Sequence, residues 1–206
     1  IGRTHRSFST IGSETMATGE DSYRTLVQGF ETLGEFEDRR SRFIASIRHV
    51  ASVTEAEVHL AEIRVLHHDA RHHVPAWILS TGAERCSDDG EPRATAGMPT
   101  LEVLRGAGFA DVSCVVTRYF GGTLLGPGGL ARAYTAAAQQ AIAAAERDGA
   151  IIEMRLVTPV VVQIPYAAYD RVVRMVADGG GTVKDSLFAE EVQITCAFPA
   201  GDELPF

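Results

Sequence analysis

The chain has 206 residues, 45% hydrophobic and 22% charged, with a net charge of −8. That length allows one sizeable core or two modest domains, and the acidic total excludes global steering toward nucleic acid. No apolar run approaches the roughly 20 residues that span a bilayer, and three scattered cysteines (Cys86, Cys114, Cys196) fit a reduced, cytoplasmic protein without disulfides.

Residues 1–19 are Ser/Thr/Gly-rich, and are expected to be a disordered or extraneous tail. YRTLVQGF (23–30) and RFIASIRHV (42–50) read as strands, separated by Gly34 and the charged run EFEDRR. Thr54 and Glu57 form a capping box that opens a helix over roughly 55–68. HVPAWILS (73–80) reads as a strand, for which Pro75 suggests an edge position or the strand's first residues. TGAERCSDDGEPRATAG (81–97) reads as a long loop, followed by a helix over about 97–106. DVSCVVTRY (111–119) is apolar on both faces and therefore a central strand. A helix over about 129–146 carries Leu130, Tyr134, Ala137, Ala138, Ala141 and Ala145 on one stripe. So many alanines imply close approach to a sheet.

Asp148 and Gly149 close that helix and divide the chain into units 20–148 and 151–206. The second unit reads as strand 151–164, helix 167–178 and hairpin strands 182–188 and 191–198. That is the β-α-β-β part of a ferredoxin-like unit, expected to be truncated. The fold class is α+β.

The stretch TRYFGGTLLGPGGLARAY (117–134) packs Gly121, Gly122, Gly126, Gly128 and Gly129 between a strand and a helix. It lacks the Lys and Ser/Thr of a triphosphate loop, because Pro127 and Gly128 stand there. Gly126, Gly128 and Ala131 match a dinucleotide pattern literally, yet no acid ends a following strand at the required distance. Two readings stay open. The amides of Gly128 to Leu130, flanked by Arg118 and Arg132, hold an anion at the helix N-terminus; or the glycines serve only turn geometry and close packing. CSDDGEPRATAG (86–97) gathers Asp88, Asp89 and Glu91, with Arg93 to pair with them, but in no cation-loop spacing. HHDARHH (67–73) reads as a solvated helix end and not a zinc set. Neither a cofactor nor a metal is expected.

SRFIASI (41–47), CSDDGEPRATAG with TLEVL (86–104) and VVTRYFGGTLLGPGGLARAY (115–134), in this order, resemble the YigZ/Impact family. The resemblance covers an Impact-type N-terminal domain over 20–148 and a YigZ-type C-terminal domain from 151. It implies a sheet backed by two helices, like domain IV of elongation factor G, followed by a ferredoxin-like domain. His72 matches the family's histidine, while His73 stands where Asn is usual and Pro75 where an aromatic is usual. The resemblance implies contact with RNA, the ribosome or a translation-regulating protein, and no established enzymatic activity.

A non-enzymatic RNA- or ribosome-associated protein is therefore expected, with Arg71, Arg93, Arg118 and Arg132 around the glycine loop and an open sheet face for bases. The alternative is a small hydrolase, with His72 and Asp88 or Asp89 as acid–base groups beside the anion loop. Both readings require His72, the Asp88–Glu91 turn and the glycine loop to meet in one groove.

Overall fold

The computed structural model describes residues 22–155 and 157–199. The tail expected over 1–19 and the truncated end expected beyond 199 lie outside these residues. Strand β1 spans Ser22–Leu26, β2 Glu31–Asp38, β3 Ser41–His49, β4 His72–Ile78, β5 Glu84–Cys86 and β6 Val112–Tyr119. Helix α1 is Val53–Leu66, α2 Gly97–Gly106 and α3 Gly126–Arg147. Five strands form an antiparallel sheet in the order β2-β3-β6-β4-β5. β6 is central, as its two apolar faces require. Val112, Cys114 and Val116 face the α2/α3 core, while Ser113 points to α1 on the other side.

The charged run that separated two expected strands begins inside strand β2, which ends at Asp38, and Arg39 and Arg40 form the turn to β3. The inward positions of β2 are Thr32, Gly34 and Phe36, and the glutamates point outward. A glycine at position 34 hides this alternation, and α3 requires it. A Cβ on Gly34 would lie 2.1 Å from the Ala141 backbone nitrogen, and Thr32 Oγ1 donates to the Ala141 carbonyl at 3.1 Å. The buried alanines of α3 permit this approach.

Helix α1 is capped two residues earlier than expected. Ser52 Oγ accepts from the Glu55 N–H, and Glu55 Oε2 accepts from the Ala51 N–H. β4 is not an edge strand, since the three-residue β5 flanks it. Pro75 lies just past the β5 ladder, and its carbonyl, on the same side as its nitrogen, accepts from the Ser87 N–H. Its missing N–H therefore costs β6 nothing. Nor does an open sheet face await bases. Helices cover both sides, and the exposed positions of β2 are Glu31, Leu33, Glu35 and Glu37.

His59 of α1 is fully buried against the sheet. Ser46 Oγ donates to Glu31 at 2.6 Å, so it accepts from His59 Nε2 at 2.8 Å; His59 Nδ1 then accepts from Ser113 at 3.0 Å. Burial first, then the Arg48 charge, lowers the imidazole pKa to about 3. The unfolded chain takes up this proton near pH 6.5 and the folded chain does not. Stability is thus fully present above about pH 6.5 and falls as pH drops toward 3. Urea unfolding at pH 7 and pH 5 should differ by about 2 kcal/mol from this group, and His59→Phe should flatten that difference.

The residues expected as one strand over 151–164 divide. β7 (Ile151–Arg155) pairs with β1, and β8 (Val157–Ile164) pairs with β10 (Val192–Pro199). Helix α4 (Tyr169–Asp178), led by a 3-10 turn at Tyr166–Ala168, connects β8 to β9 (Thr182–Phe188). The order β8-β10-β9 is that of a split β-α-β unit closed by a hairpin. Val192, Ile194, Cys196 and Phe198 pack with Val176 of α4, as their alternation expects.

Candidate functional site: a groove at the start of helix α3

Strand register builds the site. On β6, Arg118 stands opposite Phe43 of β3 and His72 of β4. Directly opposed residues in an antiparallel sheet share a face, so these three side chains meet where the core face ends. The Arg118 guanidinium lies 5.5 Å from the Phe43 ring centroid and 5.5 Å from that of Phe120. Both contacts are favourable cation–π geometries.

Arg118 is 5% exposed and Glu91 8%. Arg118 Nη1 donates to Glu91 Oε1 at 2.6 Å. The Tyr134 hydroxyl of α3 donates to the same oxygen at 2.8 Å, and His72 Nε2 lies 3.9 Å from it. Burial, then the Glu91 carboxylate, pushes the Tyr134 phenol far above its ordinary value, so it remains a donor. Arg118 Nε has no hydrogen-bond partner. His72 Nδ1 lies 2.7 Å from the Asp89 carbonyl. A carbonyl only accepts, so the proton sits on Nδ1 and Nε2 is left toward Glu91.

The 86–97 loop is held by its own acids. Asp88 accepts from the N–H groups of Ala94 (2.7 Å), Ala96 (3.0 Å) and Gly97 (2.9 Å). It thereby caps α2, whose N-cap residue Ala96 has no side-chain acceptor. Burial raises the Asp88 pKa, but the amides of Gly97, Ala94 and Ala96 outweigh it and hold the carboxyl below its ordinary value. Asp89 accepts from the His73 N–H at 2.7 Å and from Arg64 at 2.9 Å. These bonds present Glu91 inward.

Helix α3 starts at Gly126, three residues before the expected start, because Pro127 in a first turn forfeits no hydrogen bond. The Leu130 N–H therefore belongs to the helix ladder. Leu125 and Gly126 stand at the open end, where no side chain caps the amides. Gly126 takes φ +72° to turn the chain into the helix. Gly121 serves packing: a Cβ there would lie 2.1 Å from the Arg40 backbone. Gly122 closes the same loop, and Gly128 and Gly129 lie in the first turn of α3.

A cavity of about 370 Å³ results, lined by Arg71, His72, Glu91, Arg118, Phe120 and Gly126 among others. His72, Arg118, the Asp88–Glu91 turn and the glycine loop do converge here. Arg93, Arg132, Asp88 and Asp89 do not line it, and Arg132 instead reaches back toward Gly128. Tyr134, Phe43 and Phe120 were missed from sequence; a tyrosine within an alanine stripe was the available signal.

The Impact N-terminal domain family matches residues 39–142, just over half of the chain. The chain belongs to the Impact family. "IMPACT family member YigZ" of Escherichia coli is 43% identical over 110 residues, which is 52% of this chain and 54% of that protein. "IMPACT family member in pol 5'region" of Thermus thermophilus is 34% identical over 165 residues, covering 80% of this chain and 88% of that protein. A solved structure described as a hypothetical protein superposes with a TM-score of 0.62 at 31% identity, over 88% of this chain and 87% of that one. Against the Escherichia coli, Haemophilus influenzae and Bacillus subtilis relatives, the match spans only 54%, 62% and 52% of their lengths. Every groove residue of this Impact-family chain lies inside the matched segment.

Proposed function

We propose that this protein is a non-enzymatic, RNA- or ribosome-associated binding protein acting in the regulation of translation, and that the groove at the start of α3 holds RNA phosphate. Membership of the Impact family fits the translation role. One observation carries the phosphate reading: the buried Arg118, whose Nε has no hydrogen-bond partner, lines one cavity together with the uncapped start of α3. Guanidinium and helix N-terminal amides are the donors that phosphate oxygens require. Arg71 adds charge at the rim, and Phe120, 43% exposed, offers an aromatic surface to a base. The net charge of −8 makes this binding local and salt-sensitive. The purified protein should cosediment with ribosomes and be released by ribonuclease treatment. Cosedimentation that survives complete RNA digestion would transfer the role to a protein partner.

His72 favours a second reading, a small hydrolase, because its Nε2 lone pair faces the groove. Asp88 and Asp89, its expected acid–base partners, are bonded elsewhere; Glu91 is the carboxylate within reach. Release of inorganic phosphate from phosphomonoesters, lost in His72→Asn, decides for it; no release by the wild type removes it.

A further inference from the structure

Resting on the phosphate reading above, we propose that the groove recognises a terminal phosphate, the phosphomonoester at the end of an RNA strand, and not an internal diester. Three features point to a chain end. First, the donors gather in one cavity with a buried floor. Arg118, whose Nε is buried without a hydrogen-bond partner, the α3 start at Leu125 and Gly126, and Arg71 all line the same 370 Å³ space. A monoester presents three terminal oxygens and nearly two charges at neutral pH, and an internal diester presents two oxygens and one charge.

Second, the 86–97 loop beside the cavity is acidic, and the one further arginine that reaches the lining among the described residues is Arg39, which donates to the Leu124 carbonyl at 3.4 Å. Arg93 and Arg132 lie outside the cavity, and the adjoining loop carries Asp88 and Asp89. A strand passing through would lay its neighbouring phosphates beside carboxylates. A strand that ends in the cavity would not.

Third, the acid inside is already compensated. Glu91 Oε1 accepts from both Arg118 and Tyr134, so its charge is matched before a ligand arrives. The positive helix end and Arg71 then face the ligand's second charge.

The test is fluorescence anisotropy with one short single-stranded RNA in three forms: 5′-phosphorylated, 3′-phosphorylated and without a terminal phosphate. AMP serves as competitor. One phosphorylated form should bind at least roughly tenfold tighter than the unphosphorylated form, the value of one added charge-assisted hydrogen bond. Arg118→Gln should erase that preference. Because Arg118 is buried, Arg71→Ala at the rim provides a second variant and should reduce the preference severalfold. Inorganic phosphate should also shift the Gly126 amide resonance of the wild type. AMP competing as well as the phosphorylated RNA supports monoester recognition and assigns its source to a free nucleotide. Equal affinity for all three RNA forms overturns the proposal and leaves RNA binding standing. No binding of any RNA form, with no Gly126 shift, removes both.

Discussion

Glu91→Ala should lower the unfolding free energy by about 3–5 kcal/mol, the usual cost of breaking a buried ion pair from one side. Three facts set this size. Glu91 and Arg118 are both buried, Glu91 accepts two hydrogen bonds on one oxygen, and no second carboxylate lines the groove. Removing it leaves a guanidinium and a phenol without their acceptor. Glu91→Gln should cost less, since the amide oxygen still accepts. Glu91→Leu with Arg118→Met should recover most of the loss, because both desolvation costs vanish together. Urea unfolding with an unchanged m-value checks all three variants. A loss under about 1 kcal/mol for Glu91→Ala would show that Arg118 is solvated well enough to need no partner.

Asp88→Ala should cost about 2–4 kcal/mol, because three backbone N–H groups lose one charged acceptor. Partial exposure lets water replace some of these bonds and keeps the cost below their sum. Amide exchange at Ala94, Ala96 and Gly97 should accelerate first, since these are the bonds lost. The sign with pH follows from the lowered carboxyl pKa: this contribution is present above the unfolded-state value near pH 4 and is lost as pH falls below it. The same substitution should weaken RNA binding without touching the ligand, because the loop that Asp88 closes carries Glu91 into the groove. Unchanged exchange at the three amides would refute the capping role.

Where burial followed simple periodicity, the fold was legible in the residues. β6 reads as central because it is apolar on both faces, α2 falls on its expected range, and β10 alternates as its composition demands. β2 was hidden because its inward positions are Thr32, Gly34 and Phe36; only the helix lying on them explains the glycine. The start of α3 was hidden by Pro127 and the glycines, which read as loop when taken without the helix they open.

The groove was half legible. Its segments were visible as motifs, and their convergence was posed as a condition. Only the strand order β3-β6-β4 places Phe43, Arg118 and His72 side by side, and no local pattern states that order. Composition could not separate Arg118, 5.5 Å from two ring centroids, from Arg93 and Arg132, which do not line the cavity. Nor could it choose among three neighbouring acids. Asp88 faces backbone N–H groups, Asp89 faces the His73 N–H and Arg64, and of the three only Glu91 pairs with Arg118.

The central claim is that RNA phosphate is held in this groove and not on a diffuse basic surface. Its most direct test is RNA affinity against salt concentration for the wild type, Arg71→Ala and Arg132→Ala. The wild type should lose affinity linearly in log units as salt rises. Arg71→Ala should bind more weakly with a slope shallower by about 0.7, one single-strand phosphate contact. Arg132→Ala, outside the groove, should match the wild type. An Arg71→Ala protein with unchanged affinity and slope, or a loss confined to Arg132→Ala, would contradict the account.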